Sequence, residues 1–251
     1  MTPLLARALA GMPEVRAGDD LAVMIVRAAG AEAPRSGEVV AIAHKVVSKA
    51  EGAVVALEQV APSPRARELA AEAEKDPRVV QVVLDQSVEV LRAERGALIC
   101  RTAHGFVCAN AGVDASNAPA GGTVVLLPSD PDASARRIRA RLRELTGEAP
   151  AVLISDSFGR PWRHGQVEMA IGLAGMAPLD DWRGRSDSAG MRLQATWLAV
   201  ADAAAALTEL VRAKDSGEPV VVIAGLERYL SDGDGPGAAA LLRAPAEDLF
   251  T

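Results

Sequence analysis

The 251-residue chain carries 27 Lys and Arg against 33 Asp and Glu, a formal net charge of −6, so its overall charge offers no grip on nucleic acid. Apolar residues make up 49%, ample for a core, but no run approaches the roughly 18 residues of a membrane span. Cys100 and Cys108 make neither a disulfide framework nor a zinc set, and Met1–Ala10 lacks the apolar stretch of a signal peptide. The expectation is a cytoplasmic α/β protein with no nucleic-acid or membrane partner.

In chain order, Gly37–Ser48 (GEVVAIAHKVVS) reads as a buried strand after a turn, and Ala53–Leu57 as a second. Arg65–Lys75 reads as a helix that ends near Asp76-Pro77. Val79–Leu84, Val88–Leu91, Ala97–Arg101 and Gly105–Asn110 read as short strands, and Thr123–Pro128 as another. Ser134–Leu145 is helical, with Gly147 and Pro150 as stop signals. Ala151–Ser155 is a strand running into a polar loop, and Val167–Met176 is an apolar, glycine-bearing segment. Gln194–Ala213 is the longest predicted helix, and Pro219–Ala224 the last strong strand. The elements alternate without the regular spacing of a doubly wound fold.

The familiar signatures are missing: no Walker phosphate loop, no G-x-G-x-x-G, no H-E-x-x-H, no C-x-x-C and no G-x-S-x-G. Gly233–Gly237 has the wrong spacing for a dinucleotide loop and reads as a mobile turn. His44, His104 and His164 show no ligand spacing and read as surface or structural residues. Arg136, Arg137, Arg139, Arg141 and Arg143 crowd one helix, where a solvated face is the ordinary reading. The two cysteines read as small hydrophobes in strands.

Two polar islands stand apart. Cys108–Asn117 (CANAGVDASN) crowds Asp114, Ser116 and Asn117 after a strand; Ile154–Gln166 (ISDSFGRPWRHGQ) delivers Asp156 and Ser157 at a strand's carboxyl end. Singly, the first reads as well as an Asx-turn or helix cap as it does as a site, and the second as well as a surface loop. Together they suit a hard cation, which takes oxygen ligands and bridges one or two carboxylates to nucleotide phosphates. Asp114 and Asp156 offer the carboxylates, Ser157 a hydroxyl and Lys49 a phosphate-directed charge. Arg160 and Arg163 suit an anionic substrate, and Trp162 between them offers a flat surface for a ring.

At these residues the chain resembles the γ-glutamyl ligases of the deazaflavin coenzyme F-420. The matching stretches are Met12-Pro13-Glu14-Val15 with Arg16–Asp20, Lys45–Gly52 (KVVSKAEG), Ala111–Asn117 (AGVDASN), Ser155–Arg163 (SDSFGRPWR), Gly165-Gln166 and Ala170–Gly175 (AIGLAG), in the family's order from Ala8 to about Phe250. The resemblance is to the stand-alone form. It implies an unusual mixed-sheet α/β fold, neither Rossmann nor ATP-grasp, forming one unit over residues 1–251 with room for two subdomains. It implies a homodimer that adds L-glutamate to F-420-0 using GTP, with Mg²⁺ or Mn²⁺ and K⁺ as further cations. Asp114 and Asp156 match the divalent-metal carboxylates and Ser157 the hydroxyl ligand; Met12, Pro13, Glu14, Val15, His44, Lys49 and Asn117 match nucleotide-contacting positions. With Lys49, the two aspartates are the expected catalytic residues.

Some positions depart from the pattern. His44 stands where the family commonly has Ser or Thr, and Trp197 and Ala203 where relatives usually carry polar or acidic residues. In Val211–Pro219, where archaeal relatives offer an acidic or amide metal ligand, the nearest residue is Lys214, which puts a second metal in doubt. These departures leave room for a paralogous nucleotide-dependent ligase that joins a different amine to another carboxylate.

Overall fold

One apolar strand organises the molecule. In the computed structural model, which describes residues 3–116, 118–119 and 121–247, the elements run β1 (Leu5–Ala8), α1 (Leu21–Ala29), β2 (Val39–Ala43), α2 (His44–Ala50), β3 (Val54–Ala56), α3 (Pro64–Ala73), α4 (Pro77–Asp85), β4 (Ser87–Glu94), β5 (Ala97–Thr102), β6 (Val107–Ala109), β7 (Thr123–Val125), α5 (Pro131–Thr146), β8 (Ala151–Arg160), β9 (Arg163–Ala174), β10 (Asp180–Asp181), β11 (Trp197–Leu198), α6 (Val200–Thr208) and β12 (Val220–Ala224). The main sheet has the order β1-β12-β2-β8-β9, with β2 and β8 parallel and every other neighbour antiparallel. A strand covered on both faces carries apolar residues continuously rather than in alternation, and β2 (VVAIA) is such a strand.

Helices cover both faces. On one, Ile25 of α1 with Ile138 and Leu142 of α5 pack against Val40, Ile42, Val152 and Ile154. On the other, Ala201, Ala204 and Ala205 of α6 meet Val39, Ala41, Leu153 and Ile223. The small alanine face lets α6 lie close to the sheet. Gly172 does the same for α5: a Cβ there would stand 2.4 Å from the Pro131 carbonyl oxygen. A third core gathers Leu69, Val80, Val83, Leu98 and Val124 beneath α3, α4 and the β4-β5-β6 sheet, with β3 paired to β7 beside it. Mixed pairing with only one parallel couple makes this neither a Rossmann nor an ATP-grasp sheet, as expected. Among the described residues no helix is long and apolar enough to cross a membrane.

Several local expectations are corrected. The run from Gly37 is a strand only to Ala43; from His44 it is helical, because His44, Val47 and Ser48 are buried at the three- and four-residue spacing of one helix face. Val79–Leu84 is helix rather than strand: Asp76 caps Arg78 N–H at 2.8 Å and Pro77 opens α4, so the dipeptide read as a stop is a start. The polar loop after Ser155 is strand, paired with β9 as far as Arg160 opposite Arg163. Gln194–Ala213 is helical only over Val200–Thr208, since Trp197 and Leu198 instead pair with Asp181 and Asp180. Unforeseen were β1 and the short helix α1, whose N-cap Asp20 accepts from Val23 N–H at 3.1 Å.

The arginine-rich helix is not solvated throughout. Arg139 is buried, and its guanidinium donates to Asp234 Oδ1 at 2.8 Å, to the Ser231 and Asp232 carbonyls at 3.1 Å each and to the Pro150 carbonyl at 3.3 Å. The glycine-rich segment is therefore a latch on α5 rather than a mobile turn. The cysteines are buried as expected, opposite each other on β5 and β6.

Candidate active site

The parallel couple β2–β8 sets the site. Ala43 ends β2 beside Ser155, so the next residues, His44 on α2 and Asp156 on β8, emerge together at the carboxyl edge of both strands. A bulge between Ile154 and Ser155 breaks the β8–β9 register just before Asp156, a device that re-aims the side chains that follow. Across from them, Asp114 is held by two backbone bonds to Val125, at 3.0 and 2.8 Å. The approach to Asp114 is strained: Asn110 and Ala111 both have φ of 52°, costing on the order of 1–3 kcal/mol each. Gly112 follows with φ of 73°, and a Cβ there would stand 2.6 Å from Leu127 Cγ. Only glycine fits.

These elements enclose a cleft of about 490 Å³. Met12, Pro13, Glu14, Val15, His44, Lys49, Asp114, Asp156 and Ser157, all expected at the site, lie in its wall. Asn117 lies outside the described residues. Arg160, Trp162 and Arg163 do not line it; they occupy the exposed end of the β8–β9 hairpin, where Arg160 donates to the His164 carbonyl at 2.6 Å. His44 is neither surface nor remote. It is buried, with Nε2 at 3.2 Å from Asp156 Oδ1.

The cleft is lined by facing charges. Lys45 Nζ meets Asp114 Oδ2 at 2.6 Å and donates to Ser116 Oγ at 2.6 Å. Burial opposes ionisation of Asp114, but Lys45 and the Ser116 N–H, at 2.7 Å from Oδ1, outweigh it and hold the carboxyl below its ordinary range. Lys49 is buried in the last turn of α2 and donates to Glu14 Oε1 at 2.6 Å. Glu168 on β9 is buried too; the desolvation that disfavours its charge is overcome by the Ser155 and Ser157 hydroxyls, Arg212 and Lys214, so it stays ionised below the usual glutamate range.

Lys45, Glu168, Glu209 and Arg212 line the site without having been foreseen. Lys45 could have been found, being one helical turn before Lys49. Glu168 is the one charge in the apolar run from Val167 to Gly175. Nothing local marks Glu209 or Arg212, which reach the cleft from beyond α6. Among the described residues no group of three His, Cys, Asp or Glu side chains is clustered as a metal cage. A metal here would draw on few protein carboxylates and on a ligand's own oxygens.

The class of protein is thus a mixed-sheet α/β protein with an oxygen- and lysine-lined cleft at the carboxyl edge of its parallel strands. The family model for "F420-0:Gamma-glutamyl ligase" matches residues 11–225, and the chain belongs to that family. Similar proteins include the "Coenzyme F420:L-glutamate ligase" of Methanopyrus kandleri, 47% identical over 94% of this chain and 93% of that protein. The protein of the same name from Methanothermobacter thermautotrophicus is 44% identical over 96% of each.

Proposed function

We propose that the cleft joins L-glutamate to F-420-0 with GTP as phosphoryl donor, in F-420 biosynthesis in the cytoplasm. The observation that carries this reading is the convergence of Asp114, Asp156 and Ser157 with Lys45 and Lys49 in one cleft, on a chain whose named relatives match it almost end to end.

A carboxylate is a poor acyl donor, so it needs activation first. In the proposed course an F-420-0 carboxylate oxygen attacks the γ-phosphorus of GTP, the bond to the bridging oxygen breaks, and GDP leaves. The glutamate nitrogen then attacks the resulting acyl phosphate; the acyl C–O bond breaks, phosphate departs with its electron pair, and the amine proton passes to it or to water. Each transfer concentrates negative charge, and fixed positive charge at that place lowers the barrier. Lys49 and Lys45 supply it by giving up Glu14 and Asp114 for phosphate oxygens. Two carboxylates and a hydroxyl form an all-oxygen set suited to Mg²⁺ or Mn²⁺, and such an ion would add charge neutralisation on the phosphates. His44 stands beside Asp156, its Nε2 3.2 Å from Oδ1. A homodimer and a K⁺ requirement belong to the same proposal.

Mass spectrometry of protein, F-420-0, L-glutamate, GTP and Mg²⁺ tests it. The expected product is heavier by one or more glutamyl residues and is lost with Asp156→Asn, which leaves the fold intact. No product, with GTP still bound, would move the activity to another carboxylate acceptor.

A further inference from the structure

Three oxygens converge on one ammonium where β8, β9 and the end of α6 meet. Lys214 Nζ donates to Ser157 Oγ and stands 3.1 Å from Glu168 Oε1 and 3.3 Å from Glu209 Oε1. The group is built rather than incidental. Ser157 Oγ donates to Glu168 Oε1 at 2.7 Å, the Glu168 N–H donates to Glu209 Oε2 at 3.1 Å, and Arg212 meets the remaining Glu168 oxygen at 3.3 Å. The Lys214 side chain is 66% exposed, whereas that of Glu168 is only 6% exposed. A surface lysine therefore turns its head inward, onto a buried carboxylate.

We propose that Lys214 is a tethered cation holding a second cation position of the cleft, so that the Ser157, Glu168 and Glu209 oxygens are closed to a divalent ion. This rests on reading Asp114, Asp156 and Ser157 as the first metal position. Two carboxylates and a hydroxyl are a donor set Mg²⁺ or Mn²⁺ accepts. An ammonium with three donors satisfies the same oxygens with one charge fewer and without dissociating. The Ser157 hydroxyl donates to Glu168 and accepts from Lys214, which leaves one lone pair unused by either. Lys214 is thus a positioning residue: it fixes the Ser157 hydroxyl and neutralises Glu168 at a place where a free ion would otherwise be recruited.

The test counts bound Mn²⁺ by the electron paramagnetic resonance signal of the free ion, on the whole chain, for the parent, Lys214→Met and Lys214→Arg. Lys214→Met is expected to bind one Mn²⁺ per chain more than the parent, and Lys214→Arg the same number as the parent. Adding Glu209→Gln to Lys214→Met is expected to remove the extra ion. Equal counts in Lys214→Met and the parent overturn the inference, as does an extra ion in Lys214→Arg. The difference between variants is the readout. A parent that binds no Mn²⁺ would instead count against the first metal position and leave this comparison intact.

Discussion

Two buried cations, Arg139 on α5 and Lys49 on α2, serve different ends. Arg139 spends its guanidinium on one carboxylate and three backbone carbonyls, a closed set that ties α5 to the segment from Ser231 to Asp234. Lys49 is as deeply buried but, among the described residues, donates to one side chain, that of Glu14, which is 65% exposed. A cation bonded through all three of its nitrogens holds structure. One whose partner can turn back to water is able to trade it for a ligand. The difference lies in who else is satisfied when the pair breaks, since an orphaned buried acceptor carries the full cost of its desolvation.

The contrast breaks most visibly at Arg139. Replacing it in Arg139→Met leaves three carbonyls and Asp234 without their donor; because Asp234 is 45% exposed and returns to water, the expected loss is about 1–3 kcal/mol of stability, the cost of the less accessible acceptors left unpaired. Calorimetric unfolding measures it, with activity per folded molecule retained. A variant as stable as the parent would make the latch ornamental. Lys49→Met is the converse case. Glu14 is freed into solvent, so the unfolding temperature barely moves, while GTP affinity falls roughly 10- to 100-fold, the worth of a charge-assisted contact of about 1.5–3 kcal/mol. Titration calorimetry with GTP reads it; unchanged affinity alongside lost stability would place Lys49 with Arg139.

The smallest effect sharpens the comparison with a third, half-buried charge. Asp202 on α6 accepts from the Ala170 N–H at 2.9 Å, and burial raises its carboxyl pKa. A folded-state pKa above the unfolded one means that the ionised form costs stability at neutral pH, and that the cost fades as pH falls through the folded value towards the unfolded one. Asp202→Asn keeps the acceptor without the charge. It should gain under about 1 kcal/mol at pH 7, and the gain should shrink on acidification; denaturant unfolding at several pH values would show the trend, and a gain that grew on acidification would refute it.

Much of this site was legible because its residues are polar directly beside apolar runs. Asp114 follows β6, and Asp156 and Ser157 come just after the apolar run of β8, where the chain otherwise saves its space for the core. Which charges would face one another was not legible. Glu14 and Lys49 are 35 residues apart and Ser157 and Lys214 are 57 apart, distances over which only the packed sheet decides proximity. Local reading failed where β-branched residues fill helices. In α4 (PRVVQVVLD) the valines favour strand, but Val80 and Val83 share one buried helical face. In α2 two valines outweighed the i, i+4 pairing of His44 with Ser48. The β8–β9 hairpin was cut short for the opposite reason: its outer half is polar, and its partner strand rather than its composition makes it strand.

The central claim is that this cleft activates a carboxylate by phosphoryl transfer, and the most direct measurement follows one oxygen. F-420-0 labelled with ¹⁸O in its carboxylate is incubated with L-glutamate, GTP and Mg²⁺, and the released phosphate is examined by mass spectrometry. An acyl phosphate places one carboxylate oxygen in that phosphate, so singly labelled phosphate formed together with glutamylated product is the predicted result. Unlabelled phosphate accompanying the same product would contradict the account.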